Sequence, residues 1–114
     1  MSVELIADGY RITRKAHKCF DCCHMITKGT RVYFQTCKYD GVYTLYQHLD
    51  CREASLHHFA DAYFYDYDDG FPGLQSDFAT SGEYQVCIDG IRGHFPHVAC
   101  RLEFWSQKRE ANHD

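Results

Sequence analysis

Two short motifs, Cys19-Phe20-Asp21-Cys22 and His48-Leu49-Asp50-Cys51, constrain this chain more than anything else in it. The first offers two thiolates from one tight turn. In the second, the i, i+3 spacing puts an imidazole and a thiolate on one face of a helix's first turn, where both can converge on one ion. Three cysteines and a histidine form a closed tetrahedral set for zinc. The chain between the motifs has to double back for the two pairs to meet. Residues 30–38 (TRVYFQTCK) and 42–47 (VYTLYQ) are rich in β-branched and aromatic side chains and flank the turn-forming Asp40-Gly41, so a β-hairpin is predicted there. With all four positions filled by protein, no place remains for water or substrate, and one structural Zn2+ is expected. Cys23 and His24 directly follow Cys22, and His17 and Cys37 lie near enough in sequence to compete as donors.

Cysteine usage also bears on compartment. Residues 1–10 include Glu4 and Asp8 and show no basic-then-apolar signal pattern, and no run approaches the ~20 apolar residues of a membrane span. A reducing, cytoplasmic setting is the expectation, and seven cysteines there point to metal rather than disulfides.

The remaining elements follow from periodicity. Tyr10-Arg11-Ile12-Thr13 reads as a short strand before the first cysteine pair. Residues 49–65 read as a helix, with Leu49, Leu56, Phe59, Ala60, Tyr63 and Phe64 at near-helical spacing and Asp50 and Glu53 in its first turn. Residues 66–82, with their acids, Gly70, Pro72 and Gly73, read as a long loop. Residues 83–88 (EYQVCI) read as a strand closed by Asp89-Gly90. A final helix from Pro96 to about residue 109 is expected to bury Val98, Ala99, Leu102 and either Phe104 or Trp105. The fold class predicted is α+β: a treble-clef-like zinc module over residues 10–65 (knuckle, hairpin, helix), extended by an acidic strand and helix over 66–114. No linker rich in Pro, Gly or Ser separates the two, so residues 1–114 are expected to form a single domain.

A second donor cluster, Cys87, His94, His97 and Cys100, could gather around the Asp89-Gly90 turn and the start of the last helix and hold a second zinc. It has no Cys-x2-Cys anchor, and His97 and Cys100 fit equally well as ordinary helix residues.

The first half resembles a treble-clef zinc finger. Within that class it is similar to the finger of poly(ADP-ribose) polymerases, which also joins a Cys pair, an Ile-x-Lys-Gly turn, a strand and an aromatic-rich approach to His-x2-Cys. Here those elements are Cys19/Cys22, Ile26-Thr27-Lys28-Gly29, Arg31-Val32, and Tyr43 to Tyr46 before His48 and Cys51. The stretch also looks like small zinc proteins of bacteriophages and prophages. The resemblance covers about residues 10–60. It implies DNA contact as one function, although treble clefs also serve as protein-binding modules and nuclease cores.

Charge divides the functional readings. Residues 1–60 carry eight Lys/Arg against six Asp/Glu, about +2, and residues 61–114 carry four against ten, about −6, within a net charge of −4. The negative total favours a protein-interaction or regulatory module, with residues 61–69 (DAYFYDYDD) docking a partner of basic surface. The alternative is a nucleic-acid-binding finger, in which Arg11, Arg14, Lys15 and Lys18, with His17 among them, and Lys28 and Arg31 at the hairpin base hold phosphates beside exposed tyrosines. An enzyme is not expected. A treble-clef nuclease needs a general-base His and open-site ligands, and His57/His58 or His94/His97 stand in no such arrangement. The sequence leaves oligomeric state open.

Overall fold

The computed structural model describes residues 4–38, 40–60 and 73–111, with side chains described up to residue 104. Five strands precede four helices: β1 Glu4–Ile12, β2 His17–Lys18, β3 Met25–Ile26, β4 Arg31–Lys38, β5 Val42–His48, α1 Leu49–His58, α2 Leu74–Ser81, α3 Tyr84–Arg92 and α4 Pro96–Ala111. The fold is mixed α and β, with a radius of gyration of 14.4 Å.

β4 and β5 form the hairpin, with Asp40 (φ +54°) and Gly41 (φ +124°) in the left-handed region that its turn needs. β1 is longer than its predicted four-residue core. It adds to the other side of β4 in antiparallel register, Tyr10 opposite Tyr33 and Arg11 opposite Val32, giving the order β1-β4-β5. β2 and β3 pair separately as a tiny hairpin whose loop carries Cys19 and Cys22.

α1 starts where the sequence predicts but presents a different face. It buries Cys51, Ala54 and Ser55, while Leu49 and Leu56 are 37% and 49% exposed. The ligand Cys51 sets the rotation of the helix, and small residues follow it inward. Phe59 closes the helix with its N–H on the Ser55 carbonyl. Residues 61–65 of the predicted helix lie outside the described residues.

The larger differences lie further on. Of residues 83–88, expected as a strand, Glu83 is the N-cap of α3 and residues 84–88 belong to it. Tyr84, Cys87, Ile88 and Ile91 recur at i, i+3, i+4 and i+7, and that period wins because it packs all four against the core, leaving Val86 66% exposed. Asp89-Gly90 therefore lies inside a helix, not in a turn. Within the predicted loop 66–82, residues from Leu74 onward form α2, which buries Leu74 and Phe78 and ends at Gly82 (φ +78°). Residues 66–72 lie outside the described residues. α4 buries Val98, Ala99 and Leu102 as expected, and Phe104 is exposed. A single apolar cluster joins Ile26, Val32, Ala54 and Phe59 to Leu74, Phe78, Ile88, Ile91, Val98, Ala99 and Leu102.

Candidate metal centre

The first pair of donors is shaped by backbone hydrogen bonds. The Cys19 N–H donates to the His24 carbonyl (2.9 Å), and the Cys23 N–H donates back to the Cys19 carbonyl (3.1 Å). Closing so tight a loop puts Cys23 at φ +64°, a conformation that costs a non-glycine residue about 1–2 kcal/mol. The Phe20 N–H then bonds the Tyr46 carbonyl (2.8 Å), which fastens the loop to β5 two residues before His48. Because α1 begins immediately after β5, His48 sits at its N-cap and Cys51 in its first turn.

Together these elements bring one ligand atom each from Cys19, Cys22, His48 and Cys51 within 4.8 Å of one another. His48 Nδ1 lies 3.4 Å from Cys22 Sγ and 3.8 Å from Cys51 Sγ. Tetrahedral zinc, at about 2.3 Å from sulfur and 2.0–2.1 Å from nitrogen, spaces its donors by about 3.5–3.8 Å. The three cysteines are essentially inaccessible, at 0–1% exposure. Hydrogen bonds from the Cys19 and Cys51 thiols hold the Cys22 pKa far below the ordinary thiol value, and the same contacts push Cys51 up. Three sulfurs so close cannot all ionise without a cation among them. Geometry and chemistry therefore both fit a metal ion of the zinc type, which would cross-link the knuckle, β5 and α1.

Two side chains outside the ligand set finish the site. Arg101 of α4 donates to Cys51 Sγ (3.2 Å) and to Asp50 Oδ1 (2.5 Å). Burial works against its charge, but these contacts outweigh that cost and raise its pKa. Zinc with three thiolates and a neutral imidazole carries one net negative charge, and the guanidinium offsets it. Asp21, between the first two ligands, is fully buried. Its Oδ1 accepts the Leu74 N–H (3.1 Å), its Oδ2 accepts Gln47 Nε2 (2.5 Å), and its backbone carbonyl accepts the Gln75 N–H (2.8 Å). The knuckle thus caps α2 with a carboxylate, where the helix dipole favours negative charge. Burial nonetheless pushes the Asp21 pKa up to about 7, the donors offsetting part of the effect. The contact leaves no room for a side chain at position 73: a Cβ on Gly73 would stand 2.2 Å from the Phe20 carbonyl oxygen.

The other candidate residues are placed differently. Cys87, His94, His97 and Cys100 do not come together as a ligand group among the described residues. Cys87 lies against Ser81, His94 against His57 and Phe95, and His97 and Cys100 are exposed. The predicted turn that was to gather them is helix. Of the neighbouring donors, Cys23 faces Gln75 and His24 faces Phe104. His58 pairs with Asp77 (2.8 Å) and ties α1 to α2.

The basic residues fall into two groups. Arg11, Arg14 and Lys15, with His17 and Tyr46, line one cavity of about 670 Å³, while Lys18 lines an adjoining one of about 290 Å³ that shares Tyr46. Lys28 and Arg31 line neither, and Arg31 lies over the Tyr10 ring on the opposite sheet face. The acidic stretch 61–69 lies outside the described residues.

Sequence reasoning missed Arg101, Asp21 and Gly73. Only Asp21 carried a signal, as an acid inside a metal knuckle that would have to be buried. Comparison of the chain with protein-family models, characterised proteins and solved structures finds no match.

Proposed function

We propose that this chain is a zinc-held recognition module of treble-clef type that binds nucleic acid and has no catalytic role. One observation carries the reading: Arg11, Arg14, Lys15 and His17 converge on one cavity beside the metal-held knuckle, with Tyr46 as its aromatic wall. Three permanent cations around a concave site suit a polyanion, and an aromatic wall suits a base. The resemblance to the poly(ADP-ribose) polymerase-type finger agrees with it. The order knuckle, hairpin, helix with ligands at the loop and the helix start is what supports the treble-clef assignment. The zinc holds the surface in place and takes no part in contact.

The test is binding of the full, metal-loaded chain to labelled nucleic acid by fluorescence anisotropy over a salt series. Three phosphate contacts predict a log–log salt slope of about −2 to −3, and Arg14→Gln with Lys15→Gln should flatten it by about 1.5–2. Binding that ignores salt would overturn the reading. The protein-interaction alternative rests on the net charge of −4 and on residues 61–69. It requires capture of a basic protein that is lost when those acids are replaced by amides and kept when Arg14 and Lys15 are changed.

A further inference from the structure

We infer that the nucleic acid held here is single-stranded, with an unpaired base stacked on the plane of Arg11 or of His17. This rests on the nucleic-acid reading above and goes further, to the form of the strand.

The sheet face toward the cavity carries two aromatic residues directly opposite each other, Phe34 on β4 and Tyr46 on β5. Each is overlaid by a planar, nitrogen-rich group from another segment. The Arg11 guanidinium carbon sits 3.6 Å from the Phe34 ring centroid. The His17 imidazole stacks on Tyr46 with centroids 3.8 Å apart and planes 18° from parallel. Arg11 shares the face of Phe34 because Arg11 pairs with Val32 and Gly9 pairs with Phe34, so the parity of the strands matches. Two flat layered pairs thus stand side by side, and Arg11, His17 and Tyr46 are all cavity lining.

Flat faces of this kind recognise flat faces. In a duplex the bases are stacked on one another and offer only edges and phosphates, which are read by an element that enters a groove. The cavity here is walled by the end of β1, the bend after it, β2 and β5, and among the described residues no helix lines it. A splayed-out base can instead enter and stack on the guanidinium or imidazole plane, while Arg14 and Lys15 take the flanking phosphates. The adjoining concavity shares Tyr46 and is lined by Lys18, Phe20 and Leu45, which gives the strand a second, more apolar place to rest. DNA and RNA both offer base faces and phosphates, so either sugar suits the site.

The experiment uses the full chain loaded with zinc. Its probes are a short mixed-sequence single strand, as DNA and as RNA, the DNA duplex of the same sequence, and a DNA strand of equal length with abasic sites. Either base-bearing single strand should bind at least about tenfold more tightly than the duplex or the abasic strand at the same salt. Arg11→Lys keeps the charge and removes the plane. It should weaken single-strand binding by about fivefold or more and leave the salt slope unchanged. His17→Ala, with zinc content and circular dichroism as checks on folding, should do the same. Duplex binding as tight as single-strand binding, or an abasic strand bound as well as a complete one, overturns the single-strand inference and leaves the nucleic-acid reading standing. Absence of salt-dependent binding to every probe overturns both.

Discussion

The two ends of this molecule solve the stability problem in different ways. Residues 4–60 form a three-stranded sheet, a knuckle and one helix. Many of their large apolar side chains remain at the surface: Leu5, Ile6, Tyr10, Ile12, Met25, Val42 and Leu56 are each about half to two-thirds exposed. Residues 73–104 are shorter but bury Leu74, Phe78, Ile88, Val98, Ala99 and Leu102 completely. Apolar burial contributes roughly 25 cal/mol per Å2, so packing supports the helical end more fully than the sheet end, where Ile26, Val32, Tyr33 and Phe59 are the large buried side chains. A small fold that cannot hide enough apolar surface needs a staple, and the Cys3His cluster lies at the join of knuckle, β5 and α1. The difference teaches that a metal site can supplement packing at one end of a continuous core, since Cys19, Cys22 and Cys51 lie in the same buried cluster as the helical end's apolar side chains.

That contrast can be broken by experiment. The largest effect should come from Cys51→Ala. Structural zinc supplies on the order of 10–16 kcal/mol to small fingers, as much as the whole stability of a typical domain. The variant should lose its bound metal by elemental mass spectrometry. Hydrogen exchange should show β4 and β5 losing protection before α3 and the described part of α4. Equal loss at both ends would mean that the helical end has no support of its own.

Phe78→Ala is the complementary cut. Removing a fully buried ring should cost about 3–5 kcal/mol in thermal or denaturant unfolding. Metal stoichiometry in the folded protein should stay the same. A variant that also lost its metal would show that packing of α2 holds the ligands in place.

Gly73→Ala tests the seam between the two regions. Its new Cβ must push the Phe20 carbonyl away, and backbone moves less readily than a side chain. A loss of about 1–3 kcal/mol is expected, together with faster metal release to a chelator, since Phe20 lies inside the knuckle. Stability lost with unchanged release would place the strain in α2 alone.

What could be read from the sequence follows the same division. The four donors and the hairpin were legible because their spacings are local and their chemistry is narrow: two x2 pairs, Asp40-Gly41, and strands of Val, Tyr, Phe and Thr. The helical end was harder. Residues 83–88 satisfy period two and period 3.6 at once, and only packing against Phe78 and Leu102 decides between them. α2 is introduced by Pro72-Gly73, which punctuates loops and helix starts alike. The rotation of α1 was misread because a ligand, and not its leucines, faces inward. Arg101 was invisible: its partner Cys51 is 50 positions away, and no local pattern reports on a contact of that span.

That span has a consequence in time. The four donors are all present once Cys51 has been made, whereas Leu74 and Arg101 follow 53 and 50 positions after the residues they complete, Asp21 and Cys51. At about 5–20 residues per second, synthesis leaves an interval of several seconds in which the ligands exist and their cap and counter-charge do not. An ion could therefore be captured before closure, and the later helices would then arrive as a lock on it.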